Sequence, residues 1–449
     1  MGSYLIMDTI NFKPSKVFAR AGRKFLYSVE TGALYEIDDR LEYALSLSGS
    51  TVKDMLAKLV NDKNMTVVEA TEMLKNLANA GLVILANAEE QKESNGMNLC
   101  ALTLMVSQEC NMRCAYCYGD CGEYNNKGMM TSETAIKAID YLVENTKEDK
   151  LAIAFLGGEP LLNFSLIKEV VEYCSKISSE SNKKFSYTIT TNGTLLNDEI
   201  EKFLIDNNIK TQISIDGTKN NHDRMRYFKH KKPSYDIVVD KTKSMREKKL
   251  LTARATLSPE NLDYVGTFKH LNELGFVGIP IEPAKNLLGE IDLETEYDEY
   301  KKYAEFFKEQ VKNQHYDIAS KMTDFNKAME KIDNATKRNY GCGAFHRMYA
   351  VDIDGSLYPC HRFVGHPEFS VGNIFDNKKN DVEKWHHVDS RDKCSSCWMK
   401  NLCGGGCAYE NYVENGSINI SSAEFCKHMN LLYKTAIDVY IDSKYISAG

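Results

Sequence analysis

No stretch of this 449-residue chain approaches the roughly 18–20 consecutive apolar residues of a membrane span. The N-terminus lacks the basic-then-apolar pattern of a secretory signal. Ile6 stands where a myristoylation signal wants Ser or Thr. Positive charge is not in excess either: 56 Lys and Arg against 63 Asp and Glu leave a net −7. That balance argues against a general phosphate-binding surface. Internal repeats and low-complexity tracts are also missing. Together these absences point to a cytoplasmic location with neither nucleic acid nor membrane as partner. At this length one ordinary core is too few, and two or three domains are expected.

What the chain has instead is cysteine, 13 in all. Cytoplasmic thiols stay reduced, so such a count points to metal or redox chemistry rather than a disulfide scaffold. Ten fall into two groups. The first is Cys110-Asn-Met-Arg-Cys114-Ala-Tyr-Cys117; the second comprises Cys342, Cys360, Cys394, Cys397, Cys403, Cys407 and Cys426. Converging thiolates favour zinc or iron–sulfur clusters. Three thiolates can hold three irons of a four-iron cluster and leave one iron open, which a reactive centre needs and a structural site closes. The bland alternatives are a zinc knuckle short of a ligand for the first group and two zinc sites for the second. Cys100 and Cys174 occupy apolar positions and are expected in the core. Cys121 fits no motif, and a packing or incidental redox role is expected.

Three regions emerge from the pattern: residues 1–90, 98–315 and 316–449. In the first, Phe18 to Ile37 reads as a β-hairpin turning at Thr31-Gly32, with helices near 51–62 and 66–80 after it and then a short strand at Gly81–Leu85. This is a winged-helix-like pattern, and the polar linker 87–96 separates it from the second region. That region alternates strands (Cys100–Ser107, Leu151–Leu156, Phe185–Thr190, Thr211–Ile215, Thr252–Leu257, Val277–Glu282) with helices near 131–146, 164–181, 197–207, 235–248 and 260–274. Six βα units predict an α/β fold built on an open, partial barrel rather than the closed eight-stranded one. From about 340 onward periodicity fades into a loop-rich, cysteine-rich domain, where metal ligation would replace a hydrophobic core.

The first cysteine group, with Tyr116 before its last member, resembles the defining motif of the radical S-adenosylmethionine (SAM) superfamily. The resemblance implies a (β/α)6 barrel, a [4Fe-4S] cluster on Cys110, Cys114 and Cys117, and reductive cleavage of SAM to methionine and a hydrogen-abstracting 5′-deoxyadenosyl radical. Gly157-Gly158-Glu159-Pro160 is similar to the family's GGEP motif, which contacts the methionyl amino group; glycine allows close approach and the carboxylate complements an ammonium. Asn192 in Thr190-Thr191-Asn192-Gly193, and Ser214 in Ser214-Ile215-Asp216-Gly217, match positions that hydrogen-bond SAM in the family. Arg254 matches an arginine used for the SAM carboxylate, and its bland alternative is an internal salt bridge.

The second cysteine group resembles the SPASM extension of radical SAM peptide maturases, with Gly355-Ser-Leu-Tyr-Pro-Cys360 as its Gly-x4-Cys element. The resemblance implies two auxiliary [4Fe-4S] clusters, one on Cys342, Cys360 and Cys407, the other on Cys394, Cys397, Cys403 and Cys426. The first set is one ligand short, which leaves an iron open to a substrate thiolate. The N-terminal unit is similar to precursor-recognition elements, in which the leader of a ribosomal peptide adds as a strand to a sheet edge. A DNA-binding winged helix is the alternative, disfavoured by the mixed charge. Tyr116-Cys117-Tyr118-Gly119-Asp120 and Tyr358-Pro359-Cys360-His361-Arg362-Phe363 resemble the thioether-forming maturases of the ranthipeptide, sactipeptide and quinohemoprotein-subunit types. Anaerobic sulfatase-maturating enzymes, which oxidise Cys or Ser to formylglycine, compete; they carry an Asp as base directly after the equivalent of Cys360. Here that position is His361, a base at neutral pH in principle. A maturase forming C–C cross-links is a further alternative. The reading implies a reductant such as flavodoxin or ferredoxin.

Overall fold

The computed structural model describes residues 9–84, 98–124, 126–284, 287, 289, 291–376 and 380–446. Ile6, Leu85 and the linker 87–96 lie outside them. The N-terminal unit is a three-stranded antiparallel sheet, β1 (Ser15–Arg20), β2 (Arg23–Ser28) and β3 (Leu34–Ile37), in the order β1-β2-β3. The expected hairpin has one more strand than the sequence suggests. Ala21 and Gly22, at φ 48 and 74, turn the chain inside what reads as one continuous strand. Of the helices, Val52–Lys63 and Val67–Asn79 match expectation, capped by Thr51 and by a Thr66/Glu69 capping box. Asp39–Ser46, capped by Asp38, is an addition. The expected strand at 81–85 is reduced to a single bridge between Val83 and Phe12.

Alternation along β2 splits its side chains between two cores. Leu26 joins Met55, Leu59 and Leu77 inside the small unit. Phe25 and Tyr27 point the other way, into the main core. Phe18 and Tyr27 meet the Trp398 ring edge-on at 5.6 and 6.2 Å, and Asn401 Nδ2 donates to Val29 O at 2.7 Å. The N-terminal unit is thereby docked on the cysteine-rich region.

The central sheet contains β4 (Ala101–Gln108), β6 (Lys150–Gly157), β7 (Lys184–Thr191), β8 (Lys210–Ser214), β9 (Leu251–Leu257) and β10 (Ile281–Pro283), all parallel and adjacent in sequence order; the two-residue β5 (Gly128–Met129) runs antiparallel to β4. Helices Ser132–Glu144, Phe164–Glu180, Asp198–Asp206 and Tyr264–Glu273 fill four connections as expected. The stretch 235–248 is divided into Tyr235–Lys241 and Lys243–Glu247, and a short helix Lys219–Met225 comes after β8. The sixth strand is shorter than 277–282, because Val277 to Pro280 leave the regular ladder. The mixed α/β architecture with a six-stranded open barrel is therefore as expected.

The barrel cannot close through β4. Its outer edge is taken by β11 (Met348–Val351), to which β12 (Ser356–Tyr358) and β13 (Gly372–Asn373) add antiparallel. The C-terminal region thus extends the barrel's own sheet, and it carries Cys360 two residues beyond β12. It is also less loop-like than its sequence suggests, since the 19-residue helix Ala423–Ile441 packs on helices Leu293–Lys312 and Thr323–Asp333. Among the described residues no helix is long and apolar enough to cross a membrane.

Candidate active site at the mouth of the open barrel

Parallel strands bring their C-terminal ends to one rim, and the loops leaving that rim carry the candidate residues. The first cysteine loop leaves β4. Its backbone is tied to the segment after β8, with Arg113 and Ala115 N–H donating to Tyr227 O (2.7 Å) and Met225 O (2.8 Å). Cys117 N–H donates to Cys114 O at 3.2 Å, folding those two thiols onto one turn. Cys110 Sγ accepts from Met112 N–H at 3.4 Å and lies 3.9 Å from Asn192 Nδ2. Cys110 neighbours Cys114, and Cys114 neighbours Cys117. Burial pushes the Cys110 thiol up to about 12, so only a ligand that replaces its proton would make it a thiolate. Cys110, Cys114 and Cys117 share one loop with amide donors beside it, and these are the residues that would hold a cluster with one open iron.

The Gly-Gly-Glu turn explains itself by close approach. A Cβ on Gly158 would stand 2.4 Å from Glu109 O and 2.9 Å from Gly122 O, inside the cysteine loop. Glycine lets Gly158 N–H reach Ser107 O (2.7 Å) and Glu159 N–H reach Glu109 O (2.8 Å). We expect Gly158→Ala to displace that loop. SAM cleavage by the reconstituted variant, read as 5′-deoxyadenosine released, should fall by about 10-fold or more. Glu159 is fully buried and accepts from Thr191 Oγ1 (2.6 Å), Asn192 N–H (2.7 Å) and Leu161 N–H (3.1 Å). Its first visible task is to join β6 to β7. Asn192 is likewise engaged, donating to Asn111 Oδ1 at 2.9 Å and accepting from Thr194 N–H. Ser214 ends β8 at the same rim.

Beneath Cys114 lies a buried group that the motifs do not announce. Tyr116 donates its hydroxyl to Asp216 and accepts from Arg226 Nη1 at 2.9 Å. Arg226 is 8 % exposed, and its Nε finds no partner. Its charge acts on Cys110, Cys114, Glu159 and Asp216 together. An orphaned donor on a buried guanidinium, beside an expected SAM site, fits an anionic ligand group. Arg254 is placed differently. Its guanidinium pairs with Glu282 on β10, the internal salt bridge that was its alternative reading. Sequence reasoning missed Arg226 because a cation in a short helix-and-turn segment carries no pattern. The only available signal was its position, four residues after His222 and ten after Asp216.

His222 anchors this segment. The Ser234 hydroxyl donates to Arg226 O (2.8 Å), so the His222 Nε2–H faces Ser234 Oγ (2.9 Å) and Nδ1 accepts the Asp216 N–H (3.3 Å). Only the neutral imidazole satisfies all three, and burial, then repulsion by Arg226, holds its pKa well below 6.5. Above about pH 6.5 folded and unfolded chains are both neutral at this site. Below it the unfolded chain takes up a proton that the fold refuses, and stability falls as pH drops. Urea midpoints should therefore decline between pH 7 and 5, and His222→Gln should flatten that decline.

The second cysteine group separates into two sets. Burial pushes the Cys360 thiol up, and the charges of Cys407 and Cys342 push it further; Cys342 acts on Cys407 in the same way. Cys426 is raised by burial and then by Cys403, Cys394 and Cys397, and the last two also act on Cys403. Glycines again permit the contact between loops: a Cβ on Gly341 would fall 1.7 Å from Gly406 O, and one on Gly404 would fall 2.2 Å from Tyr340 O. Arg391 donates to Gly405 O (2.8 Å) and Gly404 O (3.0 Å), fixing the turn between Cys403 and Cys407. Among the described residues no three Cys, His, Asp or Glu side chains converge on a single metal ion. Cys174 is in the core and Cys100 packs against it. Cys121 instead lies half-buried beside Cys117, at φ 57.

A cleft joins the two cysteine regions. Tyr118 feels the charges of both Cys117 and Cys360, yet it is 45 % exposed. It therefore lines open space between them. Around that space stand Tyr124 (5.8 Å between ring centroids), His361 (6.4 Å), and Arg362, whose guanidinium is 5.8 Å from the Tyr118 centroid. Burial first, then Arg362 and Arg254, holds His361 down at about 3. An imidazole so placed takes up no proton near neutrality, and the electrostatics turn against its part as general base.

A sequence profile of the radical SAM superfamily matches residues 104–271. An uncharacterized protein of Methanocaldococcus jannaschii is 32 % identical over 298 residues, 63 % of this chain and 91 % of that protein. The cysteine-type anaerobic sulfatase-maturating enzyme of Clostridium novyi is 27 % identical over 369 residues, 76 % of this chain and 96 % of the enzyme. The solved structure of native anSMEcpe with bound AdoMet and Cp18Cys peptide has the same fold, with a TM-score of 0.65 at 21 % identity over 77 % of this chain and 99 % of that one. With its cysteine loop on the first strand of an open six-stranded barrel, this chain belongs to the radical SAM superfamily and is an enzyme related to the anaerobic sulfatase-maturating enzymes.

Proposed function

We propose that this enzyme joins a cysteine sulfur of a ribosomally made precursor peptide to a carbon of another residue in the same peptide. The observation that carries this reading is the three-thiol set Cys342, Cys360 and Cys407, one short of four and adjoining the cleft that starts at Cys117. In this reading Cys110, Cys114 and Cys117 hold the reactive [4Fe-4S] cluster. Cys342, Cys360 and Cys407 hold a first auxiliary cluster; Cys394, Cys397, Cys403 and Cys426 hold a second. When bound, SAM and the reactive cluster supply a radical that removes a hydrogen atom from the acceptor carbon. Cys342, Cys360 and Cys407 would hold the cluster that takes up the one electron released when the peptide thiol gives up its proton and the C–S bond forms. The peptide thus loses two hydrogens per cross-link. Flavodoxin or ferredoxin would supply reducing electrons.

The chain's own residues would orient these partners. Arg226, held by Tyr116 and Asp216, takes the SAM carboxylate; Glu159, Asn192 and Ser214 line the rest of that pocket. Arg226→Gln should weaken SAM binding by about 10–100-fold, measured by equilibrium dialysis of the reconstituted protein. The leader would add to β3, which among the described residues pairs only with β2. A peptide deuterated at both its α- and side-chain carbons should deliver deuterium into 5′-deoxyadenosine; product free of deuterium overturns abstraction from the peptide.

Formylglycine formation is the second reading, favoured by the sulfatase-maturating likeness. Against it stands His361 in place of the acidic base.

A further inference from the structure

Arg362 stands in the wall of the cleft with its hydrogen-bonding capacity unspent. Its side chain is 20 % exposed, and its guanidinium lies 5.8 Å from the Tyr118 centroid and 5.7 Å from that of Tyr409. Two aromatic faces therefore fix its plane. Its ion pairs are loose, 3.7 Å to Glu410 and 4.0 Å to Glu282. Among the described residues its guanidinium makes no hydrogen bond, although it carries five N–H groups. A largely buried guanidinium normally has its donors filled. Among the described residues none fills these donors.

Charge decides what would fill them. Glu282 stands between Arg254 and Arg362, Glu410 lies beside Arg362 and Asp324 beside Arg254, so among the described residues carboxylates already answer both guanidiniums. The described residues of the wall thus offer donors without an excess of positive charge, which suits a neutral acceptor better than an anion. The abundant neutral acceptor of a peptide is its backbone carbonyl. Arg362 also neighbours the three-thiol set: it comes two residues after Cys360, and its charge acts on Cys407.

We propose that Arg362 is a positioning residue that binds the backbone carbonyl beside the substrate's reacting cysteine, setting that sulfur against the Cys342, Cys360 and Cys407 centre. This role rests on the reading that a substrate thiolate approaches that centre. Arg362 then fixes which cysteine sulfur enters and at what angle, while making no contact with the side chain of the acceptor residue.

The test uses two probes on the anaerobically reconstituted full chain: N-acetylcysteine N-methylamide, which carries the flanking carbonyls, and ethanethiol, which lacks them. Each is titrated against the electron paramagnetic resonance signal of the reduced auxiliary centres. Wild-type protein should bind the amide about 10-fold more tightly than ethanethiol. Arg362→Gln should erase that preference. Arg362→Lys, which keeps the charge but not the planar fork, should reduce it with iron content unchanged, and Arg347→Gln on the surface should leave it intact. Equal binding of both thiols by wild type, or a preference surviving in both Arg362 variants, overturns the role of Arg362 while leaving thiolate binding standing. A signal that neither thiol perturbs overturns the thiolate reading itself, and the role of Arg362 with it.

Discussion

Replacing Cys114 with alanine should reduce SAM cleavage to background and abolish every product derived from the peptide. Cys114 is the middle thiol of its loop, and its neighbours are held independently of its sulfur: Ala115 N–H by Met225 O and Arg113 N–H by Tyr227 O. The backbone should therefore survive the substitution, and the far-UV circular dichroism spectrum with it. Two remaining thiolates cannot hold three irons of the cluster, so the open iron loses its frame. The loss is expected to exceed about 1000-fold in 5′-deoxyadenosine released. Persistent cleavage would overturn the assignment of the first cysteine group.

Cys360→Ala should separate the two halves of the reaction. Cys360 belongs electrostatically with Cys407 and Cys342. SAM cleavage should therefore stay within about 3-fold of wild type, while cross-linked peptide falls by about 1000-fold or more. Both quantities are read from one reaction by chromatography and mass spectrometry, so differences in protein concentration cancel. If the two fall together, the three-thiol set serves the fold or the reactive cluster. If cross-linking continues, that set is not where the peptide sulfur is placed.

Much of the barrel was legible because strand and helix periodicities are local. Five of six strands lie within a residue or so of their expected ends, since a parallel strand covered on both faces reads as an apolar run, as in β4. Other features depend on partners far away in sequence. β11 pairs with β4 across more than 200 residues, and no local pattern reveals that. The turn at Ala21-Gly22 was hidden inside an otherwise continuous apolar alternation. Helix Ala423–Ile441 was masked by the cysteine spacing that precedes it.

The cysteines themselves were the clearest signal; in the fold Cys360 neighbours Cys407 and Cys342, and Cys426 neighbours Cys403, Cys394 and Cys397. The charged residues around them were not legible. Arg254 looked exceptional because it is a cation in an apolar strand, yet Glu282 answers it one strand away. Arg226 and Arg362 looked ordinary, yet Arg226 is buried against Tyr116 and Arg362 stands between the rings of Tyr118 and Tyr409. His361 looked like a base from its place after Cys360; only its buried surroundings, with two guanidiniums near, take that part away.

Thioether chemistry is best decided by the mass and thiol count of the precursor peptide after anaerobic incubation with enzyme, SAM and dithionite. Formation of thioethers predicts the loss of two hydrogens per cross-link. Each cross-link should also remove one alkylatable thiol, and no product should react with hydrazide. Conversion of the cysteine to an aldehyde, seen as loss of sulfur and a hydrazide-reactive product, would contradict cross-linking and assign the enzyme to formylglycine chemistry.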